Sequence, residues 1–184
     1  MNMCNEVNDF KEVLFTKDQI EAMTKSLGER ITNDFKDKDL VVLGLLKGSI
    51  VFMADLIREI KLPCQLDFMA VSSYGSGTES IGRVQILKDI SESILGKDVL
   101  IVEDIIDSGI TLSFIVNHLK NKGAKSVTLC TLINKPERRK KDVHVEYIGA
   151  DIPNEFIAGY GMDYAEKYRN LPFIGVLKEE VYSK

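Results

Sequence analysis

The sequence predicts an α/β fold with a mainly parallel central sheet and helices on both of its faces. Three observations carry that expectation. Apolar runs of strand length recur without polar alternation, as in LVVLGLL at 40–46, the pattern of a strand buried on both faces. Segments with apolar residues at spacings of three and four fall between those runs. The 184 residues, 45% apolar and 28% charged, suffice for a full hydrophobic core without a disulfide or metal staple, so a single domain over 1–184 is expected.

The elements follow in order. Thr16 and Gln19 form a capping-box pattern, and Ile20, Met23, Leu27, Ile31 and Phe35 then share one helical face, which predicts a helix ending near Lys36. The buried strand at 40–46 leads into a helix from about Ser49 to Ile60, stopped by Pro63. Strands are expected at 66–72 and 83–88, antiparallel to each other, joined by the polar, Gly-rich stretch YGSGTESIG, a mobile loop. A strand at 97–102 runs into a turn at Asp107-Ser108-Gly109 and a helix with Leu112, Ile115, Val116 and Leu119 on one face, ending at Gly123. Further strands are expected at 126–133, 145–149 and 173–177. No repeat, low-complexity tract or linker interrupts the chain.

Composition excludes several classes of function. With 24 basic and 28 acidic residues the net charge is −4, which argues against broad nucleic-acid binding. No run approaches 18 uncharged apolar residues, and the N-terminal stretch has no basic region followed by an apolar one. Neither a membrane span nor secretion is expected, and the location expected is cytoplasmic. Cys4, Cys64 and Cys130 lie about sixty residues apart with no C-x-x-C pair, so reduced thiols are expected. The two histidines, His118 and His144, cluster with neither each other nor a cysteine, which leaves no structural zinc set and weakens any Ser-His or Cys-His hydrolase.

In open α/β sheets ligands bind beyond the C-terminal strand ends. The exit with the strongest chemistry is VLIVEDIIDSGIT, 99–111. Glu103 and Asp104 point to opposite sides of a strand end and cost stability unless hydroxyls or a metal satisfy them. Sugar hydroxyls or magnesium would do so. Asp107, Ser108, Gly109, Ile110 and Thr111 then open a helix with free amides and hydroxyls, a cradle suited to phosphate. Lys47-Gly48-Ser49 at an earlier exit is a modest anion signal, equally compatible with a plain turn. The basic run Arg138–Lys141 reads as solvated surface. The chain contains neither G-x-x-x-x-G-K-[ST] nor G-x-G-x-x-G after a strand, which removes ordinary nucleotide triphosphatases and dinucleotide dehydrogenases.

The segment VLIVEDIIDSGIT resembles the phosphoribosyl-pyrophosphate (PRPP) motif of the type I phosphoribosyltransferases, and the resemblance extends in order from about residue 10 to residue 180. It implies that fold, with a small hood formed by N- and C-terminal segments, mainly about 150–184. It also implies PRPP binding by Glu103, Asp104, Asp107, Ser108, Gly109, Ile110 and Thr111. Some relatives have lysine where Ile110 stands, a change that a cradle of main-chain amides tolerates. Leu45–Ser49 lies where 6-oxopurine members bind pyrophosphate, often through a non-proline cis peptide, which assigns Lys47 and Gly48 to that group together with Arg169. Ser73 and Tyr74 resemble the mobile lid.

Lys135 resembles the lysine that bonds the 6-oxygen of the purine; a lysine only donates, which disfavours a 6-amino base. In the stretch 152–164, Phe156 would stack on the base, the Ile157 backbone would bond its edge, and Asp163 would help hold a second magnesium. Without the resemblance, Phe156 and Tyr160 read as core aromatics and Asp163 with Arg169 as a surface pair. The reaction implied is transfer of the phosphoribosyl group from PRPP to hypoxanthine, and also guanine, with Mg2+ held by Glu103, Asp104 and Asp163. Asp107 is the implied catalytic group, as general base or as the stabiliser of a proton at N7. A homodimer or homotetramer is the implied assembly.

Overall fold

The computed structural model describes residues 8–74 and 83–183. Cys4 and the Gly-rich stretch after Tyr74 lie outside the described residues. Among them, six strands form one sheet in the order β4-β3-β2-β5-β6-β7: β2 (Leu40–Leu46), β3 (Gln65–Tyr74), β4 (Arg83–Lys88), β5 (Asp98–Ile106), β6 (Ser126–Asn134) and β7 (Tyr147–Asp151). Every pairing is parallel except β3 with β4.

Helices cover both faces, as the patterns require. On one face α1 (Lys17–Asp34) and α2 (Ile50–Glu59) bury Ile20, Leu27, Ile31, Phe52 and Leu56 against Leu40, Val42, Leu100 and Val102. On the other, α3 (Ile110–Asn121) buries Leu112, Ile115 and Leu119 against Val41, Leu43, Val99 and Ile101. Alternate residues of β2 and β5 thus enter opposite cores, which is why these strands are apolar throughout. The Thr16 box closes α1: the Thr16 N–H donates to Gln19 Oε1 at 2.9 Å and the Gln19 N–H to Thr16 Oγ1 at 3.4 Å.

A second sheet, β1-β9-β8, is antiparallel and built from the two ends of the chain: β1 (Phe10–Phe15), β8 (Ile157–Ala158) and β9 (Ile174–Leu177). Phe10, Ala158, Tyr168, Leu171 and Leu177 form its own apolar cluster, and a short helix, α4 (Glu179–Tyr182), follows. This is the hood. The sequence patterns missed β1 and β8, which are short and irregular; β1 holds register shifts at two points.

One boundary matters for the site. β5 was expected to end at Val102, but it continues to Ile106, with Ile105 opposite Ile133 and Ile106 opposite Asn134. Glu103 and Asp104 are therefore strand residues in the sheet, not members of the loop beyond it.

Candidate active site

Lys47 leaves β2, Asp107 leaves β5, Lys135 leaves β6 and Ile152 leaves β7, all at the C-terminal edge of the parallel strands. The Lys135 N–H donates to Ile106 O at 2.9 Å, which sets Lys135 beside Asp107.

At the centre, Asp104 is 8% exposed. Burial pushes its carboxyl up to about 6, against the bonds it accepts from the Ile105 and Asp104 amides and the nearby Arg169; Asp163 raises it further. Glu103 is pushed well above the ordinary carboxylate range by burial and then by Asp104, and among the described residues its buried Oε2 accepts no hydrogen bond. Adjacent acids, one half-buried and one buried, that enter no salt bridge among the described residues fit a ligand that brings hydroxyls or a cation. Gly48 lies against them: a Cβ there would stand 1.9 Å from Asp104 Oδ2. The peptide before Lys47 is cis.

Beyond β5 the chain turns through Gly109, φ +75, into α3. No side chain caps the helix, and the Ser108 hydroxyl reaches the Ile110 N–H only at 3.4 Å, so the first-turn amides remain open to an anion. A Cβ at Gly109 would meet Lys141 O at 2.8 Å. The basic run is not simply solvated surface: the Lys140 and Lys141 amides donate to Ser108 O at 2.9 and 3.0 Å, Arg139 bonds Asn134, and Arg138 Nε donates to Asp107 Oδ1 at 2.8 Å. Arg138 also reaches Asn154 Oδ1 at 3.3 Å. The run folds back over the turn and braces it.

After β6 stands Lys135, 8% exposed, whose ammonium donates to Glu155 O at 2.6 Å. Burial lowers its pKa, Asp107 opposes this, and Arg138 adds to it. Phe156 is 40% exposed, stacked on Tyr182 at 4.7 Å and edge-on to Tyr164. Its exposure makes it no core aromatic; Tyr160, by contrast, is buried with its hydroxyl on Asp55. Ile157 is buried in β8.

On the opposite side, Asp163 and Arg169 form a pair at 2.6 Å with side chains 28% and 25% exposed, more enclosed than a surface pair. Arg169 Nη1 donates to Gly161 O at 2.8 Å, while its buried Nε has no partner among the described residues. Lys47 meets Glu166 at 3.0 Å. Ser73 and Tyr74 end β3 with backbones paired to Val84 and Arg83; the rest of the expected lid lies outside the described residues.

The model of the phosphoribosyl transferase domain family matches residues 13–165. The chain belongs to the phosphoribosyltransferase family. Hypoxanthine-guanine phosphoribosyltransferases of Staphylococcus epidermidis and Staphylococcus aureus are each 53% identical over 176 residues, 96% of this chain and 98% of theirs. The crystal structure of a hypoxanthine phosphoribosyltransferase from Staphylococcus aureus superposes with a TM-score of 0.95 at 52% identity, covering both chains fully. A hypoxanthine phosphoribosyltransferase from Trypanosoma cruzi, in a ternary substrates complex, gives 0.90 at 38% identity over 95% of this chain and 99% of its own. This phosphoribosyltransferase thus has the type I fold with its hood.

Sequence reasoning missed Arg138, Asn154, the Glu155 carbonyl and Glu166. Arg138 stands three residues after Lys135 and Glu166 three after Asp163, so proximity to assigned residues was the available signal.

Proposed function

We propose that this phosphoribosyltransferase transfers the 5-phosphoribosyl group from PRPP to hypoxanthine, and also to guanine, releasing pyrophosphate and IMP or GMP. One arrangement carries the reading: the acid pair Glu103 and Asp104 runs on into the uncapped amides of Ser108–Thr111, while Asp104 packs on the Lys47-Gly48 turn with Arg169 nearby. PRPP carries a phosphate, a diol and a pyrophosphate in that order.

The amides of Gly109, Ile110 and Thr111, with the Ser108 and Thr111 hydroxyls, hold the 5′-phosphate at the positive end of α3. Glu103 and Asp104 accept bonds from the ribose hydroxyls. Lys47, the Gly48 backbone and Arg169 bind the pyrophosphate. Lys135 donates to the 6-oxygen, a bond that a 6-amino base cannot accept. Phe156 stacks on the ring and the Ile157 backbone bonds its edge. Asp107, whose Oδ1 is engaged by Arg138, has Oδ2 available for the N7 proton as N9 attacks C1′. Ser73 and Tyr74 exclude water from a centre that would otherwise hydrolyse PRPP.

Among the described residues no three His, Cys, Asp or Glu side chains form a protein-only metal cage. That suits magnesium, which binds through one or two carboxylates and completes its shell with phosphates and water. Glu103 and Asp104 would hold one such ion and Asp163 would help hold a second, and bound there magnesium would neutralise charge on the departing pyrophosphate. Among the described residues no helix is long and apolar enough to cross a membrane; a cytoplasmic homodimer or homotetramer without nucleic acid is the setting proposed.

Purified protein with magnesium and PRPP, offered each base separately, tests the proposal. Nucleotide from hypoxanthine and guanine, and none from adenine, is expected. Product from no base would overturn it and favour a PRPP-sensing regulator.

A further inference from the structure

Glu166 has no part in the reaction proposed above, yet it touches two groups that do. One carboxylate oxygen, Oε2, lies 3.0 Å from Lys47 Nζ and 3.5 Å from Arg169 Nη2. Lys47 stands on the turn after β2, whereas Arg169 belongs to the segment between β8 and β9, so the carboxylate spans from sheet to hood. The backbone presents it there. Ala165 and Glu166 have φ of +50° and +61°, left-handed values that non-glycine residues seldom adopt, and the Glu166 N–H donates to Asp163 Oδ2 at 2.9 Å. The Lys47 ammonium, and then Arg169, hold the Glu166 carboxyl below its ordinary range. Lys47 and Glu166 have side chains 68% and 66% exposed, so their bridge can open without disturbing the core.

We propose that Glu166 is a built-in competitor for pyrophosphate. It holds Lys47 and Arg169 together when pyrophosphate is away and must be displaced when pyrophosphate binds. A multiply charged anion wins that exchange, but less tightly than it would bind the same two cations freed of Glu166, with Asp163 still on Arg169. Product release is thereby eased while the same cations still act as the leaving group departs. This inference rests on the proposed assignment of Lys47 and Arg169 to the pyrophosphate.

The test is the binding of inorganic pyrophosphate, with magnesium, to the whole protein by calorimetry, alongside its inhibition of nucleotide formation, for wild type, Glu166→Gln and Glu166→Asp. Glu166→Gln keeps the shape and removes the charge; pyrophosphate should bind about threefold tighter and inhibit correspondingly more strongly, as expected for an exposed pair. Glu166→Asp keeps the charge but is one methylene too short to span both cations, and aspartate tolerates the left-handed backbone; it should tighten binding as well. Unchanged or weaker binding by Glu166→Gln overturns the proposal. So does tighter binding by Glu166→Gln with Glu166→Asp equal to wild type, because net charge alone would then account for it. Wild-type protein that makes nucleotide while neither variant binds more tightly refutes only the role of Glu166. Wild-type protein that neither binds pyrophosphate nor makes nucleotide refutes the site assignment, and this inference with it.

Discussion

Asp104 is an acid held in the wrong medium, and its protonation is readable from outside. Its carboxyl is raised to about 6, chiefly by burial. A carboxyl whose folded pKa exceeds its unfolded value binds a proton more tightly in the folded state. Stability therefore falls as pH rises from about 4 through 6 and then levels off. Asp104→Asn should raise Tm at pH 8 by about 4 °C or more while leaving it nearly unchanged at pH 4, and it should abolish efficient PRPP use. Calorimetric melts at the two pH values check the first part and turnover the second. Asp107 and Lys135 separate chemistry from recognition. Asp107→Asn should lower kcat by about 10²-fold with little change in the KM for PRPP. Lys135→Ala should instead raise the purine KM most, because it removes the donor to the 6-oxygen; steady-state kinetics on each substrate distinguish the two.

The turn after β2 acts as a unit. Gly48 is packed so closely on Asp104 that Gly48→Ala must move either the turn or the carboxylate. We expect kcat/KM for PRPP to fall by about tenfold or more, with Tm changed by little, since β2 and α2 on either side are untouched; melts and kinetics on one preparation decide it. At this scale the parallel strands were the most legible part of the chain, because burial on both faces leaves no polar alternation to misread. α1 was legible from Thr16 and Gln19, its local cap. β1 and β8 were not legible, because they depend on partners far along the chain and show no period of their own. The end of β5 was set too early for a related reason: the apolar run stops at Val102, so Glu103 and Asp104 read as the strand's very end, yet pairing with β6 carries the strand past them to Ile106. The site followed the same rule. Residues in contiguous signatures such as 103–111 could be read locally, whereas Arg138 on Asp107 and Glu166 on Lys47 are contacts across 31 and 119 residues.

Across the whole molecule, the sheet is tied at the edge opposite the site. The Asp98 N–H donates to Asp39 O at 3.0 Å, its carboxylate accepts from Ser126 Oγ at 2.7 Å and Lys125 Nζ at 3.2 Å, and the Lys125 N–H donates to Lys97 O at 2.8 Å. Burial pushes the Asp98 carboxyl up, but the Ser126 and Lys125 bonds outweigh it and the net shift is downward. A lowered folded pKa contributes stability above the unfolded value, which is lost as pH falls through the folded one. Asp98→Asn should therefore cost about 1–3 kcal/mol at pH 7, and the difference from wild type should shrink below about pH 3.5; denaturant titrations at both pH values measure it.

The pairing of β1 with β9 sets an order of events in synthesis. In the hood sheet, among the described residues, β1 pairs with β9 alone, so β1 waits for a strand made much later in synthesis. Domains assemble as their segments emerge, and the parallel sheet can form while β1 still lacks its partner. Glu166, which bridges Arg169 and Lys47, comes into place only in that late stage, so a nascent chain carries the proposed phosphate cradle before the groups proposed to hold pyrophosphate.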